Sequence, residues 1–169
     1  TRPVRVVAGG PALLRDWAVD TRLAERGAAE VEVGLEVEGP AGWEVELELE
    51  PANFAGGEKV RTTTTGSRGV LRVAQPQLWW TWDHGKPNLY WLTATVRYAG
   101  EVSDRRRMRV GIREIEKVGW TFYLNRRRMF IRGTNYYYGH LFLSQMGRPA
   151  YERDMAVMQG MNVNMIRLH

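Results

Sequence analysis

Between Glu30 and Glu50 the chain alternates apolar residues with glutamate, and this period of two limits its fold more than any other feature. Val31, Val33, Leu35 and Val37 fall on one face, with Glu30, Glu32, Glu36 and Glu38 on the other. After Gly39-Pro-Ala-Gly42 the pattern resumes, with Trp43, Val45, Leu47 and Leu49 against Glu44, Glu46, Glu48 and Glu50. Successive side chains of a strand point to opposite faces, so the segment reads as two half-buried strands joined by a Gly/Pro turn. Glutamate is a poor strand former, and burial of the opposite face must therefore hold both strands in place. The glutamates form a wet outer face. Simple alternation brings no two of them around one bond, so they are not read as an acid–base pair.

The rest of the first two thirds has the same texture. Val4 to Val7 and Leu13 to Leu23 read as strands, Lys59 to Thr65 as a polar edge strand and Val70 to Val73 as a short apolar one. Tyr90 to Tyr98 and Val102 to Ile112 form a hairpin around Ala99-Gly100. Short strands at this spacing, with no helical period before residue 149, predict an immunoglobulin-like β-sandwich over residues 1–112. A parallel α/β sheet is excluded there, because no room exists for crossover helices. After Ile112 the texture changes. Trp120 to Leu124 and Met129 to Arg132 predict a second hairpin, and Thr134 to Leu143 an aromatic loop. Pro149 opens a helix in which Tyr151, Met155 and Met158 form the apolar stripe, Gly160 is placed to end it, and Asn164 to Leu168 reads as a strand.

Charge is unevenly spread: residues 1–99 carry 11 basic and 13 acidic groups, residues 100–169 carry 13 and 6. The arginine runs 105–107 and 126–128 sit in strand and turn contexts, without a nucleic-acid-binding motif around them, and are read as solvated or domain-facing. No nucleic-acid partner is expected. No run of eighteen apolar residues occurs and no apolar leader opens the chain, so no membrane partner is expected. The absence of cysteine fits a reducing compartment such as the cytoplasm. Histidines 84, 140 and 169 lack metal-ligand spacing, and no phosphate loop or nucleophile elbow is present, so no metal and no cofactor are expected.

Several short motifs occur in a telling order. Gln77-Leu-Trp-Trp80 and Gly85-Lys-Pro-Asn-Leu-Tyr90 are followed by Val110-Gly-Ile-Arg113. Next come Phe122-Tyr-Leu-Asn-Arg-Arg-Arg-Met-Phe-Ile-Arg-Gly-Thr-Asn135 and, after the helix, Asn162-Val-Asn-Met-Ile-Arg167. This succession resembles the passage from β-sandwich to (β/α)8 barrel in family 2 glycoside hydrolases. Thr81 stands where that family has a proline, and Arg126 where it has a turn glycine; Asn125 can take the left-handed conformation in its stead. Gly133 suits a close backbone approach, and Asn135 a loop-fixing amide.

The resemblance implies a mainly β chain: the sandwich, then the first hairpin, helix and strand of an incomplete (β/α)8 barrel over residues 113–169. It implies a retaining, exo-acting β-glycosidase whose two glutamates lie on later barrel strands, so that this chain alone is catalytically silent. Its implied partners are a carbohydrate substrate in the intact enzyme and the remainder of the barrel. Arg167 matches an arginine beside the nucleophilic glutamate, and Asn135, Tyr138, His140 and His169 would line the same sugar-binding end. Tyr136 to Leu143 is most similar to the mannosidase and exo-glucosaminidase branch, which has an aspartate where His140 stands. His140 also reads as a hydrogen-bonded structural residue. The alternative is a non-catalytic module that recognises carbohydrate or protein through Trp79, Trp80 and Trp82.

Overall fold

The computed structural model describes residues 9–137 and 146–168. The expected strand Val4 to Val7 lies outside them, as do residues 138–143 of the aromatic loop. Seven strands form two antiparallel sheets: β1 (Leu13–Leu23), β2 (Ala29–Glu38), β3 (Trp43–Pro51), β4 (Val60–Thr64), β5 (Arg68–Val73), β6 (Tyr90–Tyr98) and β7 (Glu101–Val110). One sheet runs β1-β2-β5 and the other β4-β3-β6-β7, with β4 at an edge as its polar sequence predicts. The two glutamate-lined strands, β2 and β3, do not pair with each other. The Gly39-Pro-Ala-Gly42 turn carries the chain from one sheet to the other.

The sandwich closes because the inward faces of β2, β3 and β6 are apolar. Val31, Val33, Val45, Leu47, Leu49, Ala94 and Val96 are fully buried, and Leu14, Leu71, Val73 and Leu92 join them. Each such Val or Leu contributes roughly 1.5–3 kcal/mol by leaving water. Most of the outward glutamates pair with basic side chains of neighbouring strands. Glu48 pairs with Lys59 at 2.7 Å and Arg61 at 2.6 Å, and Glu50 pairs with Arg107 at 2.8 Å. The Arg107 guanidinium also lies 4.2 Å over the Trp91 ring. Where the open edges of the two sheets meet, a register shift in β7 turns Ser103 inward. It accepts the Gly10 amide on its carbonyl at 2.7 Å and the Ala12 amide on its hydroxyl at 2.8 Å.

Beyond the sandwich a three-stranded meander, ordered β10-β9-β8, comprises β8 (Ile115–Val118), β9 (Thr121–Leu124) and β10 (Arg127–Met129). Strand β8 was not expected: all four of its residues are exposed, so it lacks an alternation to betray it. The last elements are β11 (Gly133–Tyr136), α1 (Arg148–Gly160) and β12 (Met165–Leu168), with β11 and β12 parallel. The start of the expected aromatic loop is thus a strand. Helix α1 ends at Gly160 as expected, and the left-handed conformation beyond it falls to Asn162, at φ 62°. The expected stripe is displaced, for Tyr151 and Met155 are exposed while Ala150, Asp154 and Met158 are half-buried. These lie one turn apart, and Asp154 among them bonds to β11, which sets the facing side by a polar contact that apolar periodicity does not register.

Leu47 sits at the centre of this core, fully buried. Leu47→Ala is expected to lower unfolding stability by about 2–5 kcal/mol, read from chemical denaturation. A change below about 1 kcal/mol would mean that the two sheets do not pack through this face.

Candidate functional site

The motifs that carry the sequence resemblance meet in space. Trp79 donates its amide to the Ile112 carbonyl at 2.9 Å, and Ile112 is fully buried. A methyl group on Gly111 would lie 2.8 Å from the Trp79 ring, so only glycine lets the indole lie flat on that backbone. The Arg113 guanidinium covers the ring at 5.1 Å. Asn125, the turn residue between β9 and β10, completes the joint. Its side-chain oxygen accepts the Glu114 amide at 2.9 Å, and its side-chain nitrogen donates to the Trp79 carbonyl at 3.0 Å. Asn125 and Arg126 adopt φ of 51° and 65°, the two left-handed residues of a tight hairpin turn. Arg126 is held in that conformation by donating to the Leu23 carbonyl at 2.7 Å and pairing with Glu114 at 3.2 Å.

A second joint forms around the sandwich loop 81–84. Oδ2 of Asp83 accepts from the Arg132 guanidinium and, at 3.0 Å, from the Asn164 amide. Nε of Arg132 donates to the Asn162 carbonyl at 2.6 Å, and Asn164 Oδ1 accepts the Arg132 amide at 2.8 Å. The Trp82 indole donates to the Val163 carbonyl at 2.9 Å. Burial works against ionisation of Asp83. Hydrogen bonds from His84, Thr81, Asn164 and Arg132 outweigh it and hold the carboxyl well below the usual carboxylate range. Its Oδ1 is buried without a well-aligned hydrogen bond, although Nδ1 of His84 lies 3.0 Å away.

Of the five residues expected at the sugar-binding end, Tyr138, His140 and His169 lie outside the described residues. The other two come together. Asn135 and Arg167 are register partners on β11 and β12, whose axes are about 4.8 Å apart. Both are exposed. On the opposite face Tyr136 is buried and donates its hydroxyl to Asp154 of α1 at 2.6 Å. That bond, together with burial, pushes the Tyr136 hydroxyl up to about 12. Alternation along β11 therefore puts Asn135 and Arg167 on the face away from the helix. Arg167 has no carboxylate partner among the described residues. Asn135 is not the loop-fixing amide, since it stands in a strand; Asn125 and Asn164 take that part. Gly133 allows no unusually close approach either, because a methyl there would meet nothing nearer than 3.6 Å.

Sequence reasoning missed Asp83, Arg132 and Asn164 as a unit. Their only signal is position: Arg132 and Asn164 each immediately precede a short strand, while their shared acceptor lies 49 residues before the first and 81 before the second. The tryptophans are also reassigned. Trp79 and Trp80 are half-buried, and Trp79 and Trp82 bond to the elements beyond the sandwich. Because Asn125 holds backbone on both sides of the joint in a left-handed turn, Asn125→Ala is expected to lower stability by about 2–4 kcal/mol in urea unfolding. A loss within about 0.5 kcal/mol would show that the joint bears no load.

A sequence model of the glycosyl hydrolases family 2 matches residues 12–113. Over 90 residues the chain is 34% identical to a beta-galactosidase of Lactobacillus delbrueckii subsp. bulgaricus, a stretch that covers 51% of this chain and 9% of that protein. Over 100 residues it is 34% identical to a mannosylglycoprotein endo-beta-mannosidase of Lilium longiflorum, covering 55% of this chain and 10% of the relative. The backbone matches a β-glucuronidase from Ruminococcus gnavus, in complex with C6-substituted uronic isofagomine, with a TM-score of 0.77 at 24% identity. That likeness, which is one of fold, covers 94% of this chain and 26% of the other. The chain thus spans a small part of the length of these relatives. With the family match extending over the greater part of its length, the chain belongs to glycosyl hydrolase family 2.

Proposed function

We propose that this chain comprises the sandwich, residues 1–112, and the opening of the catalytic (β/α)8 barrel, residues 113–169, of a retaining, exo-acting β-glycosidase. The observation that carries the reading is the pairing of Asn135 with Arg167 on adjacent parallel strands, on the face that α1 leaves open. In a (β/α)8 barrel the helices cover the outside, inward side chains form the interior, and the active site lies at the C-terminal ends of the strands. Asn135 and Arg167 are each the third residue of a four-residue strand, toward that end. The exposed apolar groups of α1, Tyr151, Met155 and Val157, suit packing against later helices of the same barrel.

Retaining hydrolysis of an O-glycosidic bond uses two carboxyl groups about 5–5.5 Å apart, one nucleophile and one acid–base. Glu114, Glu116, Glu152 and Asp154 belong to the joint, the meander and the helix, so both carboxyl groups come from other barrel strands. Arg167 is a cation without a carboxylate partner among the described residues. Beside a nucleophilic carboxylate it would keep that group ionised and aimed at the anomeric carbon, as a planar guanidinium does through paired N–H donors. Asn135 would donate to or accept from a sugar hydroxyl, and Tyr138, His140 and His169 would complete that end. The sandwich acts through its joints, holding the barrel's first strands in place.

In the intact enzyme Arg167→Ala is expected to lower turnover of an aryl β-glycoside roughly 100-fold or more, with an unchanged circular dichroism spectrum. Near-normal turnover would remove Arg167 from the site. Titration of the isolated chain with mannose, glucosamine and galactose oligomers is expected to show no binding. Saturable binding lost on substitution of Trp80 would instead favour a carbohydrate-recognition module.

A further inference from the structure

Two chemistry-bearing positions, Asn135 and Arg167, stand three residues beyond Arg132 and Asn164 respectively. At about 3.3 Å per residue, each lies roughly 10 Å along its strand from the Asp83 joint. Asp83 thus touches neither, yet one of its oxygens accepts from the residue that begins each strand's approach. Arg132 and Asn164 are in turn bonded to each other through Arg132 N to Asn164 Oδ1 and Asn164 N to Arg132 O, at 2.8 and 3.0 Å. The second nitrogen contact of the Asn164 amide, to the Phe130 carbonyl at 3.0 Å, leaves that side chain one orientation. The Arg132 fork reaches both Asp83 and the turn that ends α1.

We propose that Asp83 is a positioning residue, which from the sandwich fixes the starts of β11 and β12 against each other and thereby sets the spacing of Asn135 and Arg167. The ion pair suits this task. The Asp83 side chain is 11% exposed and that of Arg132 35%, so water screens the pair less than the outer-face bridges, and its two donors come from different strands. Without the charge, Arg132 keeps its bond to Asn162 but loses its tie to the sandwich. Among the described residues, the approach to β12 then keeps the Trp82 bond to Val163, while the approach to β11 has only β12 and the α1 side to hold its position. The relevance to catalysis rests on the glycosidase reading; the strand geometry does not.

The test is hydrogen exchange on the full chain carrying Asp83→Asn and, separately, Asp83→Ala. Asp83→Asn retains an oxygen for Asn164 and removes the charge facing Arg132, whereas Asp83→Ala removes both. Exchange at residues 133–136 and 165–168 is expected to accelerate at least tenfold, more for alanine than for asparagine, with residues 45–49 and 90–96 unchanged. In the intact enzyme Asp83→Asn should lower kcat with KM nearly constant, and Arg132→Lys, which keeps the charge but not the fork, should do the same. Unchanged strand exchange in both variants, or an equal rise throughout the sandwich core, would overturn the proposal. So would a purely KM effect. If the wild-type intact protein cleaves no aryl β-glycoside while the strand-specific exchange persists, the glycosidase reading fails and the positioning role stands.

Discussion

The side-chain amide of Asn125 ties the elements beyond Ile112 to the sandwich. One buried group accepts from the backbone that leaves the sandwich and donates to the backbone of Trp79, which the Gly111 surface and Arg113 have already placed. A flexible tether would let the following elements swing. Here the turn of the hairpin is bonded into the sandwich, so β8–β10 continue it as a fixed arm, and the Asp83 joint repeats the device one step further along. Burial of such polar groups is costly unless each finds partners, and in both joints nearly all do.

The uneven charge of the sequence resolves into two structural uses of arginine. Arg107 of the basic half lies across from Glu50 of the acidic half, and Arg97 lies across from Glu46 within the same sheet. These exposed pairs contribute little individually, on the order of 0–1 kcal/mol, but they place like charges apart along the outer face. Arg113, Arg126 and Arg132 serve the joints instead, through a ring, a carbonyl and a carboxylate. A guanidinium suits these positions because its planar fork satisfies two differently placed acceptors at once.

The sandwich was legible because it is built from period-two alternation with one dry face, which a sequence displays residue by residue. Of the positions read from it, Val31, Val33, Leu35, Val45, Leu47 and Leu49 are buried, and Val37 and Trp43, nearest the turn, are half-buried. Strand β8 was invisible because neither of its faces is dry, and α1 was misoriented because Asp154, a polar residue, marks its inward side. The candidate site was legible in part. Asn135 and Arg167 were found through motif order, and the structure places them side by side; the amides that fix loops were misassigned because Asn125, Asn135 and Asn164 look alike in sequence. What separates them is distance in space: Asn125 reaches Trp79 across 46 residues and Asn164 reaches Asp83 across 81.

The proposed glycosidase role requires the helix-free face of β11 and β12 to look into the sugar site. A crystal structure of the intact polypeptide trapped with a 2-deoxy-2-fluoro glycoside tests it most directly. The glycosylated carboxylate is expected at the C-terminal ends of a parallel barrel, with the Arg167 guanidinium within about 3 Å of a carboxylate or sugar oxygen and Asn135 beside it. A ligand bound elsewhere, with Arg167 facing solvent or the sandwich, would contradict it.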